Sequence, residues 1–349
     1  MSVDNSSDFI KLSNELRELK AKLEEKKHQL NDIELFKVAE RLEPIVGFLI
    51  KPRRILKCGH SKVLDMDWCV ADRRRMITTS QDGKLIIWDV FTSTKEHIIS
   101  TPTTWVMACA YSPSGSMVAC GGLDNKVTCY EVETNQENNR KKHVIATHGQ
   151  YISCCKFFHS DHQFITASGD STAKLWDVET GQSIQVFDGH SADIMDIDIT
   201  SSELGNVFAT GSSDRTALIW DIRSGNYVHI CEGHKSDVNC VKFHPTGDGL
   251  MTGSDDAACR LFDLRADRLM GIYTKESIIF PCNDIDFSTS GRLLFAGYGD
   301  YCINVWDVLK GLRVAILYGH ENKISAVNVS PDGTCVASGS WDSTIRVWA

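Results

Sequence analysis

The sequence of 349 residues contains 13 cysteines but no CxxC pair. Because the number of cysteines is odd and their spacing is irregular, we expect no disulfide framework and a reducing, cytoplasmic setting. Cys154, Cys155, His159 and His162 form a group without the paired spacing of a zinc site. We therefore expect no metal and no cofactor.

Signals for secretion and membrane insertion are also missing. No run reaches about 18 apolar residues, and the first twelve residues lack the basic and then apolar order of a secretory leader. The sequence does not end in a CaaX box. We expect attachment to the inner face of the plasma membrane only through partners.

Motifs for nucleotide chemistry and hydrolysis are absent as well. The sequence has no GxxxxGK[ST], HExxH or GxSxG motif. The net charge is −9, and the short basic runs at 73–75 and 140–142 are too small for a nucleic-acid surface. We expect neither an enzyme nor a nucleic-acid-binding protein.

A repeat with a period of 42 to 46 residues runs through the sequence. Each unit ends in an aromatic residue, and most of these are followed by aspartate. The aromatic residues are Trp88, Tyr130, Trp176, Trp220, Phe262, Trp306 and Trp348. This is the period of the WD repeat, in which each unit forms one four-stranded blade. Seven units predict an all-β, seven-bladed WD-repeat β-propeller.

Two further residue types mark the repeats. An aspartate precedes each aromatic residue by six positions, at Asp82, Asp124, Asp170, Asp214, Asp256, Asp300 and Asp342. Five of these have a histidine upstream, at His60, His148, His190, His234 and His320. A buried aspartate needs donors, and we predict that the histidine ring, a strand hydroxyl and the tryptophan indole supply them. We call this group the blade pin. Five equivalent pairs without a nucleophile do not form a catalytic site.

The last repeat ends at Trp348 and Ala349, before an outer strand could follow. We expect residues 53–57 to supply that strand and to close the ring, which removes an exposed sheet edge. The predicted organisation is therefore a helix and linker in residues 1–44 and the propeller in residues 45–349.

Residues 8 to about 40 contain no glycine or proline and have the composition of a helix. Apolar residues recur in steps of three and four, with one interruption, at Leu12, Leu16, Leu19, Leu23, Leu30 and Ile33. This is the seam of a coiled coil. Because one helix cannot bury its own seam, we expect a partner helix. Packing on the propeller flank and pairing with a second copy are the alternatives.

A heptad helix followed by seven WD repeats resembles the beta subunits of heterotrimeric G proteins. Long runs carry the resemblance, including 79–89 (TSQDGKLIIWD), 105–111 (WVMACAY) and 253–265 (GSDDAACRLFDLR). The chain is most similar to the divergent type-5 branch, through 275–280 (KESIIF) and 294–298 (LFAGY). This implies that the partner helix belongs to the gamma-like domain of a regulator of G-protein signalling, in place of a gamma chain.

The histidine loops and the aspartate turns lie at the same end of the antiparallel strands. Beside them we expect a surface with the aromatic, methionine and charged residues of interface hot spots. This candidate face consists of Lys62, Trp105, Met107, Leu123, Tyr151, Asp193, Met195, Asp237, Asn239, Asp255 and Trp341. The resemblance implies that it binds the G-protein alpha subunit and effectors. Leu64 and Gly299 replace a tyrosine and an aspartate of the heterotrimer-forming members, and both changes argue against tight binding of GDP-bound alpha.

The resemblance thus implies a non-catalytic beta subunit that is the obligate partner of such a regulator. It would support faster GTP hydrolysis on inhibitory-class alpha subunits and attenuate signalling by G-protein-coupled receptors. A conventional beta-gamma dimer and a WD-repeat adaptor of another complex are the alternatives. We interpret residues 134–142 as a solvated connection between blades.

Overall fold

The structure, a computed structural model, describes residues 4–29, 35–45, 47–132, 142–200 and 206–349. It divides into two compact units, Met1–Glu43 and Pro44–Ala349. Of the connection that we predicted at 134–142, residues 134–141 lie outside the described residues.

The first unit is helical. Helix α1 spans Asp4–Gln29 and α2 spans Leu35–Val38, followed by a 3-10 turn at Ala39–Arg41. The long helix therefore begins four residues before the predicted start. Leu30 and Ile33, two positions of the predicted seam, lie outside the described residues. Within the described part of the chain, no helix combines the length and the apolar character needed to cross a membrane.

The described residues of the second unit form 28 strands in seven four-stranded sheets. The strands of blades 1 to 3 are β2 Val63–Trp68, β3 Arg75–Ser80, β4 Lys84–Asp89, β5 Thr94–Ser100, β6 Val106–Tyr111, β7 Met117–Gly122, β8 Lys126–Glu131, β9 Lys142–Thr147, β10 Ile152–Phe157, β11 Gln163–Ser168, β12 Thr172–Asp177 and β13 Ser183–Asp188. Those of blades 4 and 5 are β14 Ile194–Ile199, β15 Val207–Ser212, β16 Ala217–Asp221, β17 Asn226–Cys231, β18 Val238–Phe243, β19 Gly249–Ser254, β20 Cys259–Asp263 and β21 Arg268–Tyr273. Blades 6 and 7 contain β22 Cys282–Phe287, β23 Leu293–Tyr298, β24 Ile303–Asp307, β25 Leu312–Leu317, β26 Ile324–Val329, β27 Val336–Ser340, β28 Thr344–Trp348 and, from the start of the unit, β1 Pro52–Lys57.

The blades form a closed ring, because the first strand of each blade contacts the first strand of the next, from β2 around to β26 and back to β2. All-β architecture with seven blades is what the repeat period predicts, and this prediction is confirmed. Tryptophans at the ends of the third strands are buried between the sheets, including Trp88, Trp220, Trp306 and Trp348.

Strand β1 is the outer strand of blade 7. It pairs antiparallel with β28, and Leu56 lies opposite Ile345. Leu56 is buried among residues of blades 1 and 7, whereas its neighbour Ile55 is exposed. The two ends of the propeller unit are therefore hydrogen-bonded to each other in one sheet.

Aspartates of the inner strands join neighbouring blades. Asp65 and Asp67 of β2 accept the main-chain N–H groups of Cys109 and Tyr111 in blade 2, each at 2.8 Å. The same pair of hydrogen bonds recurs between two other pairs of blades. Asp196 and Asp198 accept the N–H groups of Val241 and Phe243, and Asp284 and Asp286 accept those of Val327 and Val329. These bonds fix the blade spacing around the central channel.

Candidate functional site

Blades 3, 4, 5 and 7 hold their aspartates in a hydrogen-bonded chain. In blade 3 the indole N–H of Trp176 donates to Oγ1 of Thr166 at 2.8 Å, and Nε2 of His148 lies 2.7 Å from that oxygen. Nδ1 of His148 lies 2.9 Å from Oδ2 of Asp170. The corresponding groups are Trp220, Thr210, His190 and Asp214 in blade 4, Trp348, Ser338, His320 and Asp342 in blade 7, and Thr252, His234 and Asp256 in blade 5, where Phe262 replaces the indole.

The charge states of this group follow from its contacts. Burial alone would raise the pKa of Asp170, but hydrogen bonds from Thr172, His148 and the N–H of Gly149 outweigh it and bring the pKa to about 2. Burial lowers the pKa of His148, which favours a neutral ring that donates Nδ1–H to the carboxylate. The His148 side chain is fully buried. No substrate can reach it, so the arrangement is structural.

Blade 1 departs from the prediction at His60. This ring is exposed, and Asp82 accepts from the ammonium group of Lys84 at 2.7 Å. Lys84 occupies the position that threonine takes in blades 3, 4 and 7. Trp88 still donates its indole N–H to Thr78 at 2.9 Å. His60 is therefore not part of a pin in this structure, because a lysine supplies the donor.

Blades 2 and 6 lack both the histidine and the strand hydroxyl, since Cys120 and Ala296 occupy the hydroxyl position. In the part of the chain that the structure describes, the buried Nε1 of Trp306 finds no acceptor. Trp306 thus packs in the core without the hydrogen bond that we predicted. Asp124 and Asp300 are half-buried, and each accepts a main-chain N–H of its own turn.

One main-chain hydrogen bond recurs in all seven blades at the end where the candidate face was predicted. The residue before the inner strand accepts the N–H of the residue after the second strand, at 2.9 to 3.3 Å. The pairs are Lys62 with Gln81, Trp105 with Leu123, Tyr151 with Gly169, Asp193 with Ser213, Asp237 with Asp255, Pro281 with Gly299, and Lys323 with Trp341. Eight of the eleven predicted face residues occupy these positions, so the fold brings them to the same end of the blades.

The other three face residues, Met107, Met195 and Asn239, are the extra residues of β-bulges at the start of inner strands. A bulge turns its side chain out of the regular alternation. The polar bulge residues bond to the main chain of the next blade, namely Ser153 to Ile194, Asn239 to Cys282, Asn283 to Ile324 and Ser325 to Val63. Leu64, Met107 and Met195 cannot make this bond, and they present half-buried apolar groups instead.

One side of the candidate face is basic. The ammonium groups of Lys62 and Lys323 lie 3.8 and 3.7 Å from the centre of the Trp341 indole. Burial, with a smaller effect from the charge of Lys62, lowers the pKa of Lys323. Lys62 also lies 6.0 Å from the indole of Trp105. Two lysine ammonium groups and two indoles thus lie together where blades 7, 1 and 2 meet, at distances typical of cation–π contacts.

The opposite side is acidic. The hydroxyl of Tyr151 donates to Oδ2 of Asp193 at 2.7 Å, across the boundary of blades 3 and 4. Asp255 accepts from the side-chain amide of Asn239 and is exposed, and Asp237 lies beside it in the same loop pair. The face therefore presents aromatic and methionine groups between a basic edge and an acidic edge.

Sequence reasoning missed three residues at this end of the blades. Lys323 precedes an inner strand as Lys62 does, so the repeat register alone could have identified it. Ile279 and Phe280 lie in the loop before β22, and these residues are 76% and 44% exposed. The N–H of Gly299 donates to the carbonyl of Pro281 in this loop. Gly299, which stands where the heterotrimer-forming members have an aspartate, therefore lies beside exposed apolar surface.

The four seam leucines whose side chains the structure describes are exposed. The residues Leu12, Leu16, Leu19 and Leu23 are between 54% and 65% exposed. An exposed apolar stripe on one helix is typical of an association surface.

No group of three or more His, Cys, Asp or Glu side chains within the described ranges has the arrangement of a metal site. The sulfur of Cys154 contacts the carbonyl of Ile197, and Nδ1 of His162 pairs with Glu179 at 3.3 Å.

Comparison with known proteins gives a consistent result. A family model described as G protein beta WD-40 repeat protein matches residues 6–349. Guanine nucleotide-binding protein subunit beta-2 of Caenorhabditis elegans is 58% identical over 349 residues, which is 100% of this chain and 94% of that protein. Guanine nucleotide-binding protein subunit beta-5b of Danio rerio is 56% identical over 322 residues, covering 92% of this chain and 81% of the relative.

Proposed function

This chain belongs to the G-protein beta family of WD-40 repeat proteins, and from that membership we propose that it is the obligate partner of a regulator of G-protein signalling with a gamma-like domain. In this complex the chain has no catalytic step of its own. The regulator accelerates GTP hydrolysis on an inhibitory-class alpha subunit, and signalling from G-protein-coupled receptors is attenuated.

The exposed seam of α1 is the observation on which the proposal mainly depends. Leu12, Leu16, Leu19 and Leu23 follow steps of four, three and four, so they line one side of the helix. They would bind the helix of the gamma-like domain, and Leu30 and Ile33 would extend the seam. Burying four leucines contributes roughly 6 to 12 kcal/mol before the cost of association.

The candidate face supplies the second contact. Its eleven residues would bind the alpha subunit, effectors or another domain of the regulator through the two indoles, the methionines and the charged edges. No nucleic acid is involved. The complex would lie in the cytoplasm and reach the inner face of the plasma membrane through its partners.

Two residues favour a regulator over a separate gamma chain with a tightly held GDP-bound alpha subunit. Leu64 and Gly299 lie at the end of the blades that carries the candidate face, and they lack the tyrosine hydroxyl and the carboxylate of heterotrimer-forming members. A relative that carries the beta-5b name matches most of this chain, which agrees with this preference.

Purification of the full chain from its own cells, followed by identification of the co-purifying protein, tests the proposal. We expect a regulator with a gamma-like domain. Leu16→Asp with Leu19→Asp should abolish its recovery, whereas Arg17→Asp, off the seam, should not. Recovery of a small gamma chain together with GDP-bound alpha would establish the conventional dimer instead. Unchanged recovery with both leucines replaced would exclude the seam as the contact.

A further inference from the structure

Trp105 has a left-handed backbone, with a φ of 60°. Large side chains rarely adopt this conformation, because the Cβ atom crowds the main chain. Six other non-glycine residues with positive φ belong to one repeated turn between the second and third strands, together with Gly83 in blade 1; they are Asn125, Ser171, Arg215, Ala257, Tyr301 and Ser343. Trp105 lies outside that series, so the repeat itself does not explain its conformation.

The main chain of Trp105 approaches Gly122 closely. Gly122 ends strand β7 opposite Val106. A Cβ atom on Gly122 would overlap the carbonyl oxygen of Trp105 and would lie 3.0 Å from both the carbonyl carbon of Trp105 and Cα of Val106. The φ of Gly122 lies outside the left-handed region. Glycine is therefore required here by the space that the Trp105 carbonyl occupies.

Other blades resolve the same position differently. Serine stands at the end of the second strand in blades 3, 4, 5 and 7, and its hydroxyl donates to the carbonyl two residues before the inner strand: Ser168 to Gln150, Ser212 to Ala192, Ser254 to Ser236 and Ser340 to Asn322. In these blades the residues equivalent to Trp105 have no left-handed φ. A side chain at this position thus accompanies an ordinary φ in the residue before the inner strand, and glycine accompanies the left-handed φ of Trp105.

We propose that Gly122 is the positioning residue for Trp105. The absence of a side chain at position 122 leaves room for the Trp105 carbonyl oxygen close to β7 and for the left-handed φ of Trp105, and this backbone directs the indole across the candidate face to within 6.0 Å of the Lys62 ammonium group. Gly122 itself needs no contact with a partner. The functional consequence rests on the proposed function, in which Trp105 binds the partner.

The variant Gly122→Ser, which introduces the residue of blades 1, 3, 4, 5 and 7, tests this directly. The full chain, purified with its helix partner, is labelled with 5-fluorotryptophan, and the Trp105 resonance among the eight tryptophans is assigned with Trp105→Phe. We expect Gly122→Ser to shift the Trp105 resonance. Ser212→Gly, the matched change in blade 4, should leave it in place. An unchanged Trp105 resonance in folded Gly122→Ser would overturn the proposal.

If Gly122→Ser lowers the yield of folded protein, a second variant decides the question. Trp105→Gly in the same chain should restore the melting temperature, because glycine accepts either backbone conformation. Failure to restore it would mean that the overlap with residue 105 is not the cause, and the proposal would be wrong.

Binding separates this inference from the proposed function. The probe is a GDP-loaded inhibitory-class alpha subunit, and every chain carries Leu64→Tyr with Gly299→Asp, because in the proposed function Leu64 and Gly299 disfavour tight binding of this probe. In that background Trp105→Ala and Gly122→Ser should each weaken binding about tenfold, and combining them should give the binding of Trp105→Ala alone. If Trp105→Ala has no effect on binding, the proposed binding role of the candidate face is wrong. The shift of the Trp105 resonance in Gly122→Ser still decides whether Gly122 positions Trp105. If Trp105→Ala weakens binding and Gly122→Ser does not, Gly122 has no positioning role.

Discussion

Nδ1 of His190 lies 2.8 Å from Oδ2 of Asp214, and the opposite ring nitrogen lies 2.7 Å from the hydroxyl of Thr210. One buried ring thus connects the loop before blade 4 to the turn between its second and third strands. The hydroxyl also accepts the indole N–H of Trp220, so the loop, the second strand, the turn and the third strand share one network.

We expect His190→Ala to lower the free energy of unfolding by about 2 to 4 kcal/mol, since it removes one hydrogen bond each from a buried hydroxyl and a carboxylate and opens a cavity. His60→Ala is the matched control, because the exposed His60 ring makes no such bridge, and its effect should stay within about 0.5 kcal/mol. Urea unfolding of both variants measures the difference. Equal losses would show that the histidine acts only through local loop structure.

Blade 6 offers the converse change. Ala296 occupies the position at which Thr210 accepts the indole hydrogen bond in blade 4, and Trp306 Nε1 has no acceptor within the described residues. Ala296→Ser should therefore raise the free energy of unfolding by about 1 kcal/mol. Ala209→Ser, a buried alanine that faces no orphaned donor, should lower it. The proposed acceptor is wrong if the two substitutions have the same sign.

Ring closure through β1 predicts alternating effects along a short strand. Leu56 is buried and Ile55 is 49% exposed, although both belong to the same strand. Leu56→Ala should cost about 2 to 5 kcal/mol, and Ile55→Ala should cost less than about 1 kcal/mol. A chain that ends at Asp332 leaves β1 without its partner β28 and should lose cooperative unfolding. A cooperative melt of that shortened chain would contradict closure through β1.

The repeat period alone determined the architecture, because seven aromatic residues 42 to 46 positions apart leave little freedom for the blades. In blade 1 a lysine and not His60 supplies the donor to Asp82, and this could not be predicted from the Gly-His motif at His60. It follows from Lys84, whose ammonium group reaches the aspartate. Three of the eleven face residues lie in β-bulges, and a bulge leaves no residue signature, since Leu64, Ser153 and Asn239 all occupy one. The left-handed Trp105 depends on Gly122 seventeen residues later, and such close approaches appear only in three dimensions.

Leu64 and Gly299, which replace a tyrosine and an aspartate of the heterotrimer-forming members, can be changed back together. A Cβ atom at Gly299 would lie 3.5 Å or more from its neighbours, so an aspartate fits there without strain. Leu64→Tyr with Gly299→Asp should strengthen binding of a GDP-loaded inhibitory-class alpha subunit by at least about tenfold. Leu64→Phe with Gly299→Ala serves as the control, since it adds the bulk without the polar groups. If the two pairs bind alike, the hydroxyl and carboxylate are not what this chain lacks.

Asp65 of the inner strand β2 predicts a pH dependence of stability with a definite sign. Burial raises the pKa of Asp65 from 3.8 to about 7, although the N–H of Cys109 and the charge of Lys156 oppose this. Between pH 4 and pH 7 the folded chain therefore keeps a proton that the unfolded chain has released. Stability from Asp65 is complete below pH 4 and is lost as the pH rises through 7.

Asp65→Asn removes this titration. The free energy of unfolding of the wild type relative to the variant should fall between pH 4 and pH 7, with an upper limit of about 4 kcal/mol at about 1.4 kcal/mol for each pKa unit. The pin aspartate Asp170, whose pKa is lowered to about 2, acts in the opposite sense and destabilises the fold only as the pH falls below 4. Urea unfolding at pH 4, 5.5 and 7, with Asp188→Asn at an exposed position as a control, separates the two effects. A constant difference between wild type and Asp65→Asn across this range would show that the carboxylate is ionised throughout, stabilised by Lys156 and the main-chain donors.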